Sequence, residues 1–122
     1  MIFDHIVLSV SNLEMSKHLY SHALSALGMA FIREDDGCIG FGSHGKPSLW
    51  LYEDSLPHKP MHIAFIAQDR KSVDAFHQAA LAAGGKDNGA PGLRPQYHQD
   101  YYGAFIIDPD GHNIEAVCRQ PE

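Results

Sequence analysis

Two stretches of the chain begin with the same alternation of side chains. Ile6, Leu8 and Val10 alternate with His5, Val7 and Ser9, and Ile63, Phe65 and Ala67 alternate with His62, Ala64 and Ile66. Successive strand residues point to opposite faces, so each stretch predicts a strand with one greasier face, and each histidine shares the other face with smaller residues. The period then changes to that of a helix. Ser16, Leu19, Tyr20, Ala23, Leu24 and Leu27 form one stripe, and Val73, Phe76, Ala80 and Ala83 form its counterpart. Ser11-Asn12-Leu13-Glu14 predicts a capping box opened by the Ser11 hydroxyl, and Asp69 is the matching N-cap of the second helix. Gly28 and Gly84-Gly85 supply the left-handed residue that ends each helix. Laid over one another, the two units pair His5 with His62, Ala23 with Ala80, Leu24 with Leu81 and Gly28 with Gly85.

The remainder of each unit reads as hairpins. Ala30–Arg33, Cys38–Gly42 and Ser48–Tyr52 predict strands joined by turns at Asp35-Asp36-Gly37 and Ser43–Lys46. Tyr101–Ile107 and Asn113–Cys118 predict strands around the turn Asp108-Pro109-Asp110-Gly111, where Pro109 pre-sets its φ and Gly111 tolerates a positive one. Glu53–Pro60, with two prolines, reads as a stiff linker, and Ala90–Gln99 as a loop. Each half is therefore β-α-β-β-β: module 1 over about residues 3–53 and module 2 over about 61–119, in one α+β domain spanning 1–122. A chain of 122 residues has room for one domain with a modest core.

Composition narrows the function. Apolar residues make up 44% and charged residues 20%, as in ordinary globular domains. Nine Lys and Arg against fifteen Asp and Glu give a net charge of -6, and scattered cations offer no clustered basic surface for a nucleic acid. No apolar run approaches the roughly 18–20 residues of a membrane span, and the first ten residues lack a signal peptide's basic region. Cys38 and Cys118 lie far apart without a spacing motif and read as buried hydrophobes in a reducing cytoplasm. Nine histidines are out of line, and histidine is the commonest metal ligand.

Position selects among them. His5 and His62 open equivalent strands, and Glu115 lies in the closing strand between Ile114, Ala116 and Val117, where a carboxylate is costly unless paired or bound to a cation. If the three meet at one point, two imidazoles and one carboxylate with open positions suit a divalent Fe, Mn, Zn or Ni ion. The residues alone also allow His5 at a capped strand end, His62 on a solvated edge and Glu115 facing outward.

Asp4-His5-Ile6-Val7-Leu8-Ser9-Val10, Met61-His62-Ile63-Ala64-Phe65 and Asp108-Pro109-Asp110-Gly111-His112-Asn113-Ile114-Glu115 resemble three signatures of the vicinal oxygen chelate superfamily. That group includes glyoxalase I, bleomycin-resistance proteins, fosfomycin-resistance transferases and extradiol dioxygenases. The resemblance runs from about residue 3 to 118. It implies two βαβββ modules pairing into a curved, partly closed, antiparallel-rich sheet with helices outside. It also implies His5, His62 and Glu115 as ligands of one divalent metal ion. Glyoxalase I adds a fourth ligand where this chain has Leu49-Trp50-Leu51, and extradiol dioxygenases generally place a tyrosine where this chain has Phe105.

Such a metal would act as a Lewis acid on two vicinal substrate oxygens. In the loop before the penultimate strand, His98 is the candidate base and Arg94 the candidate clamp for a substrate carboxylate; Tyr101 and Phe105 would line the cup with Trp50. His112 reads as a turn-stabilising side chain. The expectation is a metal-dependent lyase, isomerase or dioxygenase acting on a small molecule, without nucleic-acid or membrane partners. The alternatives are a drug- or metabolite-sequestering protein using the same cup without chemistry, or a module whose site is vestigial. A homodimer is the expected assembly, with modules paired either within one chain or swapped between two.

Overall fold

The computed structural model describes residues 2–56 and 59–122; Pro57 and His58 of the expected linker lie outside the described residues. The first module comprises β1 (Ile6–Val10), α1 (Leu13–Ser25), β2 (Ala30–Asp35), β3 (Cys38–Ser43) and β4 (Lys46–Glu53). The second comprises β5 (His62–Ile66), α2 (Arg70–Ala82), β6 (Lys86–Leu93), β7 (Tyr102–Ile107) and β8 (Asn113–Cys118). They build two separate four-stranded sheets, β1-β4-β3-β2 and β5-β8-β7-β6. In each, the strand that precedes the helix pairs parallel with the module's last strand, and the remaining pairs are antiparallel. The fold is α+β with two βαβββ modules; the sheets are not closed, and α1 packs against α2. Among the described residues, no helix is long and apolar enough to cross a membrane.

The greasier strand faces are the ones that meet the helices. Leu8 and Val10 are buried with Leu19, Tyr20, Ala23 and Leu24, and the same cluster takes in Val73, Phe76, Ala80, Ile106 and Ile114. Both turns of the first module use the left-handed pairs that tight hairpins require, Asp36-Gly37 (φ 51° and 77°) and His44-Gly45 (φ 55° and 75°). Asp69 caps α2 as expected, accepting from the Ser72 amide at 2.7 Å.

Two local expectations are corrected. Asn12, not Ser11, caps α1: Asn12 is extended and its side chain accepts from the Met15 amide at 3.0 Å. Ser11 is one residue too early, and its own N–H is taken by Asp110 Oδ1 at 2.9 Å. The expected loop at Ala90 instead continues β6, which begins at Lys86. Gly89, Pro91 and Gly92 argue against a strand, but β6 is an edge strand with two register shifts opposite β7, where such residues are tolerated.

The turn between β7 and β8 rivets the modules together. Asp108, 3% exposed, accepts from the Tyr20 hydroxyl of α1 at 2.7 Å and from the amides of Asp110 and His112 at 2.9 and 2.8 Å. His112, 2% exposed, accepts the Met61 N–H on Nδ1 at 2.9 Å, so its Nε2 carries the proton and donates to the Ser9 carbonyl at 2.9 Å. His112 therefore stabilises the turn and ties the end of β1 to the start of the second module. Burial, reinforced by the Asp108 carboxylate, pushes the Tyr20 hydroxyl well above the usual tyrosine pKa.

Tyr20→Phe should leave one oxygen of a buried carboxylate without its donor while conserving the ring. The expected loss is about 1–3 kcal/mol of unfolding free energy, read from the midpoint of a urea titration at constant m-value. A variant as stable as the parent would show that the rivet is dispensable.

Candidate functional site

β8 is the inner neighbour of β5, and their parallel register sets Glu115 opposite Ala64; on its other side Phe105 of β7 faces it. Ile114 and Ala116 point into the core, so Glu115 points to the face that carries no helix, together with His62, Ala64 and Ile66. Glu115 is nevertheless only 2% exposed. His62 Nε2 lies 2.7 Å from its Oε1, and the Tyr101 hydroxyl donates to Oε2. Gly103 makes room for that tyrosine: a Cβ there would sit 3.2 Å from the Tyr101 ring.

The electrostatics fix who holds the protons. Burial, followed by the bond to the Glu115 carboxylate, pushes the Tyr101 hydroxyl up to about 12, so it remains a donor. Arg119 lies 4.9 Å from the Tyr101 ring centre and Tyr97 packs edge-on at 5.1 Å. His62 is half exposed at its side chain, 54%, and gives the buried carboxylate its opening to the outside.

His62 and Glu115 are brought together; His5 is not. His5 lies just ahead of β1, its Nδ1 2.7 Å from Asp4 Oδ1, and Asp4 in turn pairs with Lys46 at 3.2 Å. Among the described residues, no group of three His, Cys, Asp or Glu side chains that could hold a metal forms within one chain. Yet the registers are equivalent: Trp50 stands opposite Val7 as Glu115 stands opposite Ala64. By the same alignment Gly40, the partner of Trp50 on β3, takes the place of Phe105. Thus His5 and Trp50 share the helix-free face of the first sheet as His62 and Glu115 share that of the second. A Cβ on Gly40 would lie 2.9 Å from the Trp50 ring, and the Arg33 guanidinium covers that ring at 5.6 Å.

The other candidates are placed as follows. Arg94 spends two guanidinium donors on the Gly92 and Ala90 carbonyls, both at 2.8 Å, and lies 5.4 Å over the Phe105 ring. It thereby straps down the bulged edge strand. His98 is exposed and bonds within its loop: Nδ1 accepts the Asp100 N–H at 3.1 Å, and its carbonyl accepts the Tyr101 N–H. Glu53 accepts the Leu13 N–H at 2.9 Å, at the start of α1. The role that sequence reasoning missed is that of Tyr101 as the partner of Glu115. The available signal was the buried carboxylate itself, which has to find donors somewhere.

As a metal half-site, the pair fits. One imidazole nitrogen and one carboxylate meet at a buried point with one side open, a donor set suited to a divalent ion, and two donors are fewer than such an ion requires.

A duplicated βαβββ unit with an imidazole at the start of each module and one buried carboxylate defines a two-module α+β protein. The chain belongs to the Glyoxalase/Bleomycin resistance protein/Dioxygenase superfamily, whose family model matches residues 2–116. A crystal structure of a glyoxalase/bleomycin resistance protein from Albidiferax ferrireducens T118 is 29% identical with a TM-score of 0.84, over 99% of this chain and 100% of that one. A hypothetical protein from S. aureus is 26% identical with a TM-score of 0.69, over 93% and 94% of the two chains. A superfamily enzyme from Burkholderia phytofirmans PsJN, 16% identical, shares the fold with a TM-score of 0.72 over 96% and 98%. No curated protein matches the chain.

Because folding raises the Tyr101 pKa, the stabilisation it gives is complete below the ordinary value of 10.0 and is lost as the pH rises toward about 12. Urea midpoints measured from pH 9 to 12 should therefore fall more steeply for the parent than for Tyr101→Phe. Parallel profiles would remove the bond to Glu115 from the account of the site.

Proposed function

We propose that two copies of the chain share two equivalent metal centres, each taking His5 from one copy and His62 with Glu115 from the other. We propose further that the assembly is an enzyme acting on a small molecule with two adjacent oxygens. The observation that carries this reading is the Glu115 carboxylate, 2% exposed and facing half-exposed His62, with no third donor grouped with them among the described residues. The equivalent histidine directly precedes β1, an edge strand of the other module, and β5 is an edge as well, so both halves are open to a second copy.

A bound divalent ion would supply Lewis-acid polarisation of the substrate oxygens. The chain's own residues supply the rest. Tyr101 keeps its proton and fixes the orientation of Glu115 through Oε2, leaving Oε1 on the His62 side. Trp50 and Phe105 give flat apolar walls that exclude water, and Arg33 over Trp50 adds positive charge. Arg94, anchored to β6 through two donors, presents the rest of its guanidinium to a substrate carboxylate. His98, exposed on the loop that ends at Tyr101, is the base.

The test is complementation. Mn(II) or Zn(II) titrated into the parent should saturate at one ion per chain, and His5→Ala, His62→Ala or Glu115→Gln should each weaken binding by about 100-fold or more, as loss of a ligand from a three-donor site does. Mixed by subunit exchange, His5→Ala and His62→Ala chains should regain tight binding at about a quarter of the centres, since about half of the dimers then pair unlike chains and one of the two sites in each of those holds all three ligands. Absence of regain would overturn the shared centre. Tight substrate-like binding without any metal requirement would replace catalysis by sequestration.

A further inference from the structure

We propose that α1 carries a second metal site, a surface chelate for a divalent copper or nickel ion formed by His18 and His22. This proposal is independent of the shared centre above. His18 and His22 are both exposed, one helical turn apart, with ring centres 4.5 Å apart and planes inclined by 55°. An imidazole nitrogen sits about 2.1 Å from such an ion and about 1.1 Å from its own ring centre, so two rings at a right angle around one ion have centres about 4.5 Å apart. The observed spacing matches that arrangement and is shorter than the roughly 5.2 Å that a tetrahedral angle gives from the same distances. Right-angled nitrogen donors favour copper and nickel over zinc.

The ring orientation is set as metal-binding histidines usually have it. His22 Nδ1–H donates to the His18 carbonyl at 2.7 Å, which leaves the His22 Nε2 lone pair as the ring's donor to a metal. His22 lies in the last turn of α1, where the helix dipole favours a cation. One turn before His18 stands Glu14. The two line a surface cleft of about 480 Å³ with Asn12, Met15, Ala83 and Pro109, which gives water or a small anion access to the remaining coordination positions. Neither histidine takes part in the core or in the Glu115 cluster.

Copper(II) added in substoichiometric amounts to the isotope-labelled full chain should broaden the amide resonances of residues 14–26 by paramagnetic relaxation. Nickel(II) titration by calorimetry gives the affinity. In His18→Ala and in His22→Ala, the α1 broadening should disappear and the affinity of this site should fall by about tenfold or more, because a chelate becomes a single ligand. Broadening around His62 and Glu115 should persist in both variants. Both substitutions are on the surface, and unchanged circular dichroism confirms that the helix remains. Broadening absent from α1 in the parent, or unchanged in either variant, would overturn the proposal.

Discussion

A carboxylate withdrawn from water has to be matched by donors, and this chain withdraws two of them at the β7–β8 hairpin. Asp108 is matched completely, by one hydroxyl and two amides, and those bonds hold α1, the turn and the second module in one arrangement. Glu115 is matched by one buried phenol and one half-exposed imidazole. The difference separates structure from chemistry. A carboxylate saturated by fixed donors has no capacity left for a ligand, whereas one whose second oxygen faces an accessible histidine retains it.

Duplication explains why the two modules are built alike. Both modules use a parallel pairing of first and last strands, cover one sheet face with a helix, and leave the other face bare. They then diverge at one register position: Glu115 in the second module, Trp50 in the first, with Phe105 and Gly40 exchanging bulk on the neighbouring strand. The result is one face with a charged donor pair and one with a lone imidazole beside a large flat ring. A symmetric pair of modules would carry two carboxylates; this one carries one, which reduces the negative charge any bound ion would meet.

Much of this was legible in the sequence because periodicity reports faces. The alternation at residues 5–10 and 62–67 told which side of each strand meets a helix, and Glu115 stood out as a carboxylate among apolar neighbours. The turn Asp108–Gly111 was readable from Pro109 and Gly111, though not its use as a rivet, because the partners Tyr20 and Ser9 come from the other module. β6 was hidden because an edge strand with bulges can hold Gly89, Pro91 and Gly92 without forfeiting its pairing. The backbone anchoring of Arg94 was hidden because sequence does not show that the carbonyls of Ala90 and Gly92 turn back toward it. The separation of His5 from His62 and Glu115 within the chain was beyond sequence for a different reason. Period gives the face a side chain occupies, not which other face it will meet.

That last question has a physical side in the bare faces themselves. Val7 is 48% exposed and Ile66 is 78% exposed; both lie on edge strands, and strand parity places each on the face of its module's histidine. Apolar side chains on an unpaired edge are what natural sheets usually avoid, since the same edge recruits stray strands. Here they border the two halves of the proposed shared centre. A second copy that covered them would remove apolar surface from water in the same step that brought His5 up to Glu115. On the proposed pairing, the free energy of association and the completion of the centre are therefore one event, and affinity for metal and affinity for the partner are thermodynamically linked.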